Sequence, residues 1–253
     1  MAMKEISIQP NDLRIVRNVA LELKIFEGIQ HKHLEELLIF MELCTEGTLE
    51  SLVAATEGGL PEGLIRRYTN QLVSAISTLH QHSIVHRDVK TANIFLTAEG
   101  NCLKLGDFGS AVKIKAHTTV PGELKGFVGT QAYMAPEVFT KTNTEGHGRA
   151  ADIWSLGCVI IEMASGKRPW SEYDSNYQIM FKVGMGEIPA VPISLSEEGR
   201  HLVHQCLKHD PKERATTLQI KHHTFLKIDT EEECLSCTMP SILEDYLKLG
   251  IKR

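Results

Sequence analysis

The sequence lacks the features that would direct a chain to a membrane, to secretion or to nucleic acid. No apolar run approaches the roughly 18 residues that a spanning helix needs. The first ten residues, MAMKEISIQP, show no basic region followed by an apolar one, so they predict no signal peptide. The formal net charge is only −5, which gives no overall attraction for nucleic acid or an anionic surface. We therefore expect neither nucleic acid nor a membrane among its partners.

Cysteine is sparse and shows no regular pattern. Six cysteines are scattered over 253 residues, and only Cys234 and Cys237 form a C-x-x-C pair. No second pair stands at the spacing of a zinc site, although a metal or redox role for this pair is the alternative interpretation. We interpret the cysteines as reduced, mostly buried thiols, which predicts an intracellular, cytoplasmic protein.

The order of predicted elements places strands first and helices afterwards, which is typical of an α+β protein. Hydrophobic content of 42% and charged content of 23% are ordinary for a globular chain of this length. Alternation and apolar runs predict strands over 1–8 and Leu37–Met41, and a hairpin that pairs Ile94–Leu96 with Leu103–Leu105. Helical periodicity predicts helices over Pro61–His82 and Ser196–Leu207, and a helix buried all round over Asp152–Ala164, with Asp152 as its cap.

A further helix is predicted over residues 13–28, and it carries one unexpected acid. Ile15, Val19, Glu22 and Phe26 fall on one face. A carboxylate on a packed face needs a cationic partner. From the helix alone, Glu22 is either such a buried-face acid or a solvated residue at the edge of the stripe.

The kink at 42–47 is the predicted boundary between the strand-rich start and the helical remainder. We expect a small N-terminal lobe over 1–44, a large lobe over 45–226 and a C-terminal tail over 227–253. Neither an internal repeat nor a low-complexity tract interrupts this order. Residues 110–130 are polar and without period, which predicts a long functional loop.

Two short motifs on either side of the predicted hairpin supply the groups that phosphoryl transfer needs. The first is HRDVKTAN, which contains Asp88, Lys90 and Asn93, and the second is Asp107-Phe108-Gly109. Asp88 can accept a hydroxyl proton, and Lys90 supplies positive charge near the transferred group. Asn93 and Asp107 offer hard oxygen ligands for Mg²⁺, and the hairpin should bring them together.

These motifs, in this order, resemble the catalytic loop and D-F-G of the protein kinase superfamily. The resemblance extends to A-P-E at 135–137, to Asp152 at the start of the central helix, and to Arg214, which in the family pairs with the A-P-E glutamate, here Glu137. It implies a bilobal kinase-like fold with a small β-rich lobe and a large, mainly helical lobe. Lys90 is the residue that serine/threonine kinases carry in this loop. The implied cofactors are ATP and Mg²⁺.

The start of the chain gains an interpretation from the same resemblance. Residues 1–4, MAMK, look like the V-A-I-K strand, so Lys4 would be the phosphate-binding lysine paired with Glu22. With Lys4 as its cationic partner, Glu22 would be the acid on the buried face of the helix and not a solvated residue at the edge of the stripe. Met41 would guard the back of the nucleotide pocket, and Glu42 and Cys44 would offer backbone groups to adenine.

Longer stretches are similar to one group of kinases, the MEK kinases or MAP kinase kinase kinases, and to their stress-responsive branch. The stretches include FMELCTEGTLE, KLGDFGSAVKI and GHGRAADIWSLGCVIIEMASGKRPW, and the resemblance covers roughly residues 1–226. It implies that the substrate is a MAP kinase kinase. A catalytically impaired interaction module and a sterile-20-type upstream kinase are the alternative hypotheses.

Charge predicts a regulatory arrangement around Arg87, which precedes the catalytic Asp88. A phosphate on Thr118 or Thr119 would add about −1.5 to −2 charge and could order the loop against Arg87. The alternative is that both threonines are plain loop residues. Thr130 resembles the family threonine that contacts the catalytic aspartate and shapes the substrate groove.

Two parts of the family pattern are missing from the sequence. No G-x-G-x-x-G precedes Lys4, and the run HKHLEELLIF leaves no room for a further strand before Met41. We therefore expect an incomplete small lobe with weakened nucleotide binding, in a chain that is a fragment, splice product or incomplete gene model of a larger kinase.

Overall fold

The computed structural model describes residues 2–7, 36–41, 44–114, 130–140 and 148–227, the first two of these segments by backbone alone. Strand β1 (Ala2–Ser7) pairs antiparallel with β2 (Glu36–Met41), and Lys4 lies opposite Ile39. Both strands were predicted from alternation and apolar runs, and both predictions are confirmed. The helix predicted over 13–28 lies outside the described residues.

The remainder of the described chain is mainly helical, as expected for the large lobe of a bilobal kinase-like fold. Its helices are α1 (Leu49–Ala54), α2 (Glu62–Gln81), α3 (Pro136–Thr140), α4 (Gly148–Ser165), α5 (Asn176–Gly184), α6 (Glu197–Cys206) and α7 (Thr217–Lys221). Four short strands accompany them: β3 (Ile84–Val85), β4 (Ile94–Thr97), β5 (Cys102–Leu105) and β6 (Val112–Lys113).

Helix α4 lies at the centre of this part of the molecule. Every residue from Ala151 to Ala164 is buried, which confirms the prediction of a helix that is packed all round. It packs against α2 and α6, and the Trp154 ring is among the largest fully buried side chains. The prediction that Asp152 caps this helix is wrong, because the helix begins at Gly148 and the carboxylate turns to a neighbouring loop.

The predicted hairpin is present, and the chain that follows β2 runs beside it. Strands β4 and β5 pair antiparallel, with Ile94 opposite Leu105. The backbone N–H of Leu96 donates to the Gly47 carbonyl at 3.0 Å, and Thr48 forms a bridge with Phe95. The 44–48 segment is thereby fixed to the element that separates Asn93 from Asp107.

The described cysteines agree only in part with the interpretation of buried thiols. Cys158 and Cys206 are buried, Cys44 is half-buried and Cys102 is exposed, and none of these four forms a disulfide. Burial raises the pKa of the Cys206 thiol to about 12, so this group stays protonated near neutral pH.

Within the ranges that the structure describes, no helix has the length and apolar character needed to cross a membrane.

Candidate active site

A buried carboxylate on α4 fixes the loop between β3 and β4. Asp152 accepts hydrogen bonds from the backbone N–H groups of His86 at 3.0 Å and Arg87 at 2.8 Å. The Nε2 of His80 donates to the same carboxylate at 2.8 Å. Arg87 has a φ of +67°, a left-handed conformation that a non-glycine residue adopts only when its surroundings hold it there. Asp152 therefore holds the loop in the conformation that presents Asp88.

The His86 ring joins the two predicted motifs. Its Nε2 lies 2.9 Å from the carbonyl oxygen of Gly106, and its Nδ1 accepts from the Asp88 N–H at 3.3 Å. A carbonyl only accepts and an N–H only donates, so the partners select the neutral imidazole with its proton on Nε2. Phe108 approaches the same ring edge-on, with 5.1 Å between the centroids. The catalytic-loop and D-F-G motifs thus meet at one buried side chain.

Asp88 is the point on which the site converges. Its Oδ1 accepts from the backbone N–H and the hydroxyl of Thr130, each at 3.1 Å. Its Oδ2 accepts from the Asn93 amide at 3.1 Å and lies 2.9 Å from Lys90 Nζ. Lys90 Nζ also donates to the Thr130 hydroxyl oxygen at 2.8 Å. Four donors fix the direction of this carboxylate.

Asn93 directs one end of its amide at Asp88 and leaves the other end available. The Nδ2 group donates to both the backbone carbonyl of Asp88, at 2.9 Å, and its Oδ2. Among the described residues, the Oδ1 of Asn93 has no hydrogen-bond partner. The Asn93 carbonyl accepts from the Gly106 N–H at 2.9 Å, so the hairpin closes directly before Asp107.

Asp107 is exposed beside this closure, and its backbone is left-handed with a φ of +56°. Aspartate tolerates this conformation better than most residues, and the Oδ1 of Asp107 accepts from the Gly109 N–H at 3.4 Å. An amide oxygen and a carboxylate form a donor set that suits Mg²⁺. The described residues contain no cluster of three histidine, cysteine or acidic side chains suited to a metal. A cation here would complete its coordination with phosphate oxygens and water.

Arg87 connects the catalytic loop to the start of the polar loop at 110–130. Its Nε donates to the Ser110 carbonyl at 2.5 Å. Burial lowers the pKa of the Arg87 guanidinium, and the Asp152 carboxylate acts in the opposite direction. The guanidinium is therefore a partly buried positive charge at the base of this loop. Thr118 and Thr119 lie outside the described residues, and their phosphorylation stays a prediction.

The structure brings Glu137 and Arg214 together as an ion pair. The two guanidinium nitrogens lie 2.7 Å and 3.1 Å from the two carboxylate oxygens, a bidentate geometry. Arg214 also donates to the Ala150 carbonyl at 2.7 Å and lies over the Trp154 ring. The pair joins α3 to α4 and to the chain after α6, and so supports the segment that begins at Thr130.

A buried network that the sequence analysis missed lies behind the catalytic loop. Glu162 on α4 accepts from the Tyr133 hydroxyl at 2.5 Å and from the Thr91 hydroxyl at 3.0 Å. Burial raises the pKa of the Glu162 carboxyl above its ordinary value of 4.5, although both hydrogen bonds lower it. The signal was present in the sequence, because Glu162 is the only acid after Asp152 in the apolar run DIWSLGCVIIEMA.

A second missed residue, Glu46, fixes the turn of the β4–β5 hairpin. Its carboxylate accepts from the backbone N–H groups of Glu99 at 3.0 Å and Gly100 at 2.7 Å. Ala98, Glu99 and Gly100 all have positive φ, so successive N–H groups point to one side and can hold an anion. No sequence pattern reports this contact, because it depends on the turn conformation.

The other predicted nucleotide-binding residues are only partly described. Lys4 lies within β1 and Met41 ends β2, each by backbone alone, and half-buried Cys44 follows shortly after. Glu22 and Glu42 lie outside the described residues. Their roles, including the Lys4–Glu22 pair, stay predictions.

Comparison with known proteins assigns the chain to a family. The protein kinase domain family matches residues 1–226. Mitogen-activated protein kinase kinase kinase 4 of Mus musculus is 56% identical over 244 residues, and that of Homo sapiens is 55% identical. Mitogen-activated protein kinase kinase kinase 3 of Arabidopsis thaliana is 34% identical over 238 residues, which cover 89% of this chain and 41% of the plant protein.

The match to the mammalian relatives covers 92% of this chain but 15% of their length. The family match and these identities confirm the resemblance to the protein kinase superfamily and to its MEK-kinase group. The chain belongs to the protein kinase domain family, within which its relatives are the MAP kinase kinase kinases.

Proposed function

We propose that this chain is an ATP-dependent serine/threonine kinase domain that phosphorylates a MAP kinase kinase in a stress-type MAP kinase cascade. Family membership supports the reaction class. The observation that carries the proposal is the geometry at Asp88, whose carboxylate is oriented by Lys90, Asn93 and Thr130 next to the available amide oxygen of Asn93.

The roles follow from what each group can donate or accept. A substrate hydroxyl loses its proton to Asp88 as its oxygen bonds to the γ-phosphorus, and the bond from that phosphorus to the leaving ADP oxygen breaks. Lys90 places positive charge beside the transferred group. When bound, Mg²⁺ neutralises charge on the phosphate oxygens, and Asn93 and Asp107 are the residues that would hold it.

The nucleotide-binding part of the proposal rests on the family resemblance. Lys4, with Glu22, would contact the phosphates, and the 41–44 segment, including Met41 and Cys44, would contact adenine. The 44–48 segment is fixed to the β4–β5 hairpin, so the predicted adenine contacts and the predicted metal ligands share one support. A cytoplasmic location is part of the same proposal.

The substrate class is proposed from the relatives, whose printed names are those of MAP kinase kinase kinases. The relatives give the sterile-20 alternative no support. An interaction module without activity is the remaining alternative. The complete set of hydrogen bonds at Asp88 favours an enzyme, because a chain without catalysis has no need to orient this carboxylate.

The experiment is phosphate transfer from radiolabelled ATP to a purified MAP kinase kinase, with mapping of the modified residues. We expect labelled serine or threonine in the activation segment of the substrate. Asp88→Asn should lower kcat by about 10²- to 10⁴-fold, because it removes the proton acceptor while preserving the shape of the side chain.

The matched control is Asp210→Asn, the same chemical change at an exposed aspartate outside the site. It should leave kcat within a factor of two of the wild type. If wild type and Asp88→Asn are equally silent while the substrate still binds, the interaction-module hypothesis replaces the kinase proposal.

A further inference from the structure

Two histidines from different elements are in contact near the end of the described large lobe. His201 lies on α6, and His223 caps the short helical turn Thr224–Leu226, which we call the 224–226 turn. The His201 Nδ1 lies 2.8 Å from the His223 Nε2, and the two rings stack with 5.0 Å between their centroids. Histidine changes its charge near neutral pH, so this contact joins two elements through groups that acid can alter.

The hydrogen-bond partners fix where each ring carries its proton. The Phe225 backbone N–H donates to the His223 Nδ1 at 3.1 Å, so this nitrogen is an unprotonated acceptor. The single proton of the neutral His223 ring is therefore on Nε2, which donates to the His201 Nδ1. His201 then carries its own proton on Nε2, which lies 3.3 Å from the terminal amide of Gln205, and this partner selects the oxygen end of that amide. The bonds form one directed chain from Phe225 to Gln205.

An additional proton has no place in this chain of hydrogen bonds. On His223 it would occupy Nδ1 and face the Phe225 N–H, and on His201 it would occupy Nδ1 and face the proton of the His223 Nε2. Either event sets two donors against each other and breaks a bond between the elements. The same tautomers disfavour a metal ion between the rings, because a metal on the His223 Nε2 would force the ring proton onto Nδ1.

The charges around the pair were traced on each neighbouring element. Burial lowers the pKa of His223 below its ordinary value of 6.5, and the neighbouring His201 lowers it further, whereas the Glu198 carboxylate on α6 raises it. Further charged or titratable residues adjacent to the pair in the chain are Glu197 and His204 on α6, Lys221 at the end of α7, His222, and Lys227 after the turn.

The 224–226 turn attaches the end of the large lobe to two helices. The Phe225 ring is fully buried, and the turn packs against both α2 and α6. From α2, the Arg66 guanidinium lies 5.1 Å from the centroid of the Phe225 ring, and it also donates to the Lys227 carbonyl at 3.4 Å. Glu62 pairs with the same guanidinium at 3.3 Å. Loss of the bond between Phe225 and His223 would therefore weaken the support of a buried aromatic residue.

We propose that His201 and His223 form an acid-sensitive latch, which holds the 224–226 turn against α6 while both rings are neutral and releases it when either ring gains a proton. The pKa of His223 is lower in the closed state than in the open state, so opening takes up a proton. The stabilisation is fully present above about pH 6.5 and is lost as pH falls towards the closed-state pKa. This latch would operate whatever protein the kinase domain phosphorylates.

Nuclear magnetic resonance of the full chain with nitrogen-15 histidine reads the proton positions directly. At about pH 7.5, the spectra should show both His201 and His223 with the proton on Nε2. A neutral His223 ring with its proton on Nδ1 would overturn the latch, because Nδ1 could then not accept from the Phe225 N–H.

Amide hydrogen exchange then measures whether acid opens the turn. The protection of the Phe225 amide is the exchange rate of an unstructured peptide at the same pH divided by the observed rate. It should fall as pH drops below about 6.5, by up to about tenfold per pH unit, because opening takes up one proton. The Ile160 amide inside α4 is the internal reference, and its protection should not fall. Constant protection at Phe225 would overturn the latch, and so would a parallel fall at both amides, which indicates global unfolding.

Three variants connect the effect to the two rings. In His223→Asn the side-chain oxygen can still accept from the Phe225 N–H but cannot titrate, so the pH dependence of protection should disappear. His201→Asn places an acceptor oxygen near the position of Nδ1 without its charge, so the pKa of His223 should rise towards 6.5. This variant keeps the latch testable if His223→Asn does not fold. His204→Asn, at an exposed position on α6, is the matched control and should behave as wild type.

Two results with these variants would contradict the latch. The first is an equal pH dependence of Phe225 protection in His223→Asn and wild type, which would assign the acid response to another group. The second is an unchanged pKa of His223 in His201→Asn, which would show that the two rings do not act on each other.

Discussion

At the scale of single residues, the site depends on how Asp88 and Thr130 contact each other. Two of the four donors at Asp88 come from Thr130, one from its backbone and one from its hydroxyl. The hydroxyl oxygen also accepts from Lys90 at 2.8 Å. The backbone bond places the chain after the polar loop, whereas the hydroxyl joins the proton acceptor to the positive charge. Removing the hydroxyl alone should therefore disturb catalysis while the segment stays in place.

Thr130→Val tests this arrangement, because valine keeps the shape and the backbone N–H but has no hydroxyl. A hydrogen bond to a charged group contributes about 1.5–3 kcal/mol, so kcat should fall roughly 10- to 100-fold. Thr130→Ser restores the hydroxyl and should recover kcat to within about threefold of the wild type. Steady-state phosphate transfer provides the measurement, and equal kcat values for the valine and serine variants would refute the role of the hydroxyl.

At the scale of elements, the loop between α1 and α2 lies backbone to backbone against the end of α4. The Leu60 N–H donates to the Met163 carbonyl at 2.7 Å. Gly59 has a φ of +95°, and a Cβ at this position would lie 2.3 Å from the Ala164 carbonyl oxygen. Gly58, its neighbour, also has a positive φ of +80°, but it faces open space. The two glycines thus separate the effect of conformation from the effect of close approach.

Alanine at each glycine should give different losses of stability. Gly58→Ala places a Cβ in a left-handed conformation without a clash, which costs about 1–2 kcal/mol. Gly59→Ala adds a collision with the α4 backbone, so the loss of unfolding free energy should exceed that of Gly58→Ala by at least about 2 kcal/mol. Urea denaturation measures both, and equal losses would contradict the observed contact between the loop and α4.

The elements show which parts of the fold local sequence can predict. The helices α2 and α6, the β4–β5 hairpin and the strands β1 and β2 were predicted because apolar periodicity and turn residues are local signals. The start of α4 was placed at Asp152 because an acid before an apolar run is the usual pattern of a cap. Its true partners lie 65 and 66 residues away, at Arg87 and His86, and no local pattern reports them.

The same distinction holds for the candidate site. Asp88, Lys90, Asn93 and Asp107 were identified because their order and spacing are specific, and the structure brings the first three into hydrogen-bond contact and closes the chain beside the fourth. Glu46 acts through the conformation of a distant turn, so its part could not be predicted.

At the scale of the whole molecule, the buried Glu162 makes stability depend on pH. The folded-state pKa of Glu162 is raised by burial, so between the unfolded value of 4.5 and the folded value the folded chain binds more protons than the unfolded chain. Stability from this group is therefore fully present below pH 4.5 and is lost as pH rises through the folded pKa.

Glu162→Gln keeps an acceptor for Tyr133 and Thr91 but cannot titrate. The unfolding free energy of the variant relative to wild type should therefore rise as pH increases from about 4.5 through the folded pKa of Glu162, because only the wild type must ionise a buried group. Urea denaturation of both proteins across this range gives the difference directly. A difference that stays constant, or falls, would show that burial does not raise the pKa of Glu162 in the folded chain.

The central claim for the molecule is that Asp88, Asn93 and Asp107 serve one metal-nucleotide site. The most direct measurement is a crystal structure of the chain with Mn²⁺ and a non-hydrolysable ATP analogue, in which anomalous scattering locates the metal. We predict a manganese peak within coordination distance of Asn93 Oδ1 and an Asp107 carboxylate oxygen, with the γ-phosphate directed towards Asp88. A nucleotide-bound metal located away from Asn93 and Asp107 would contradict the account.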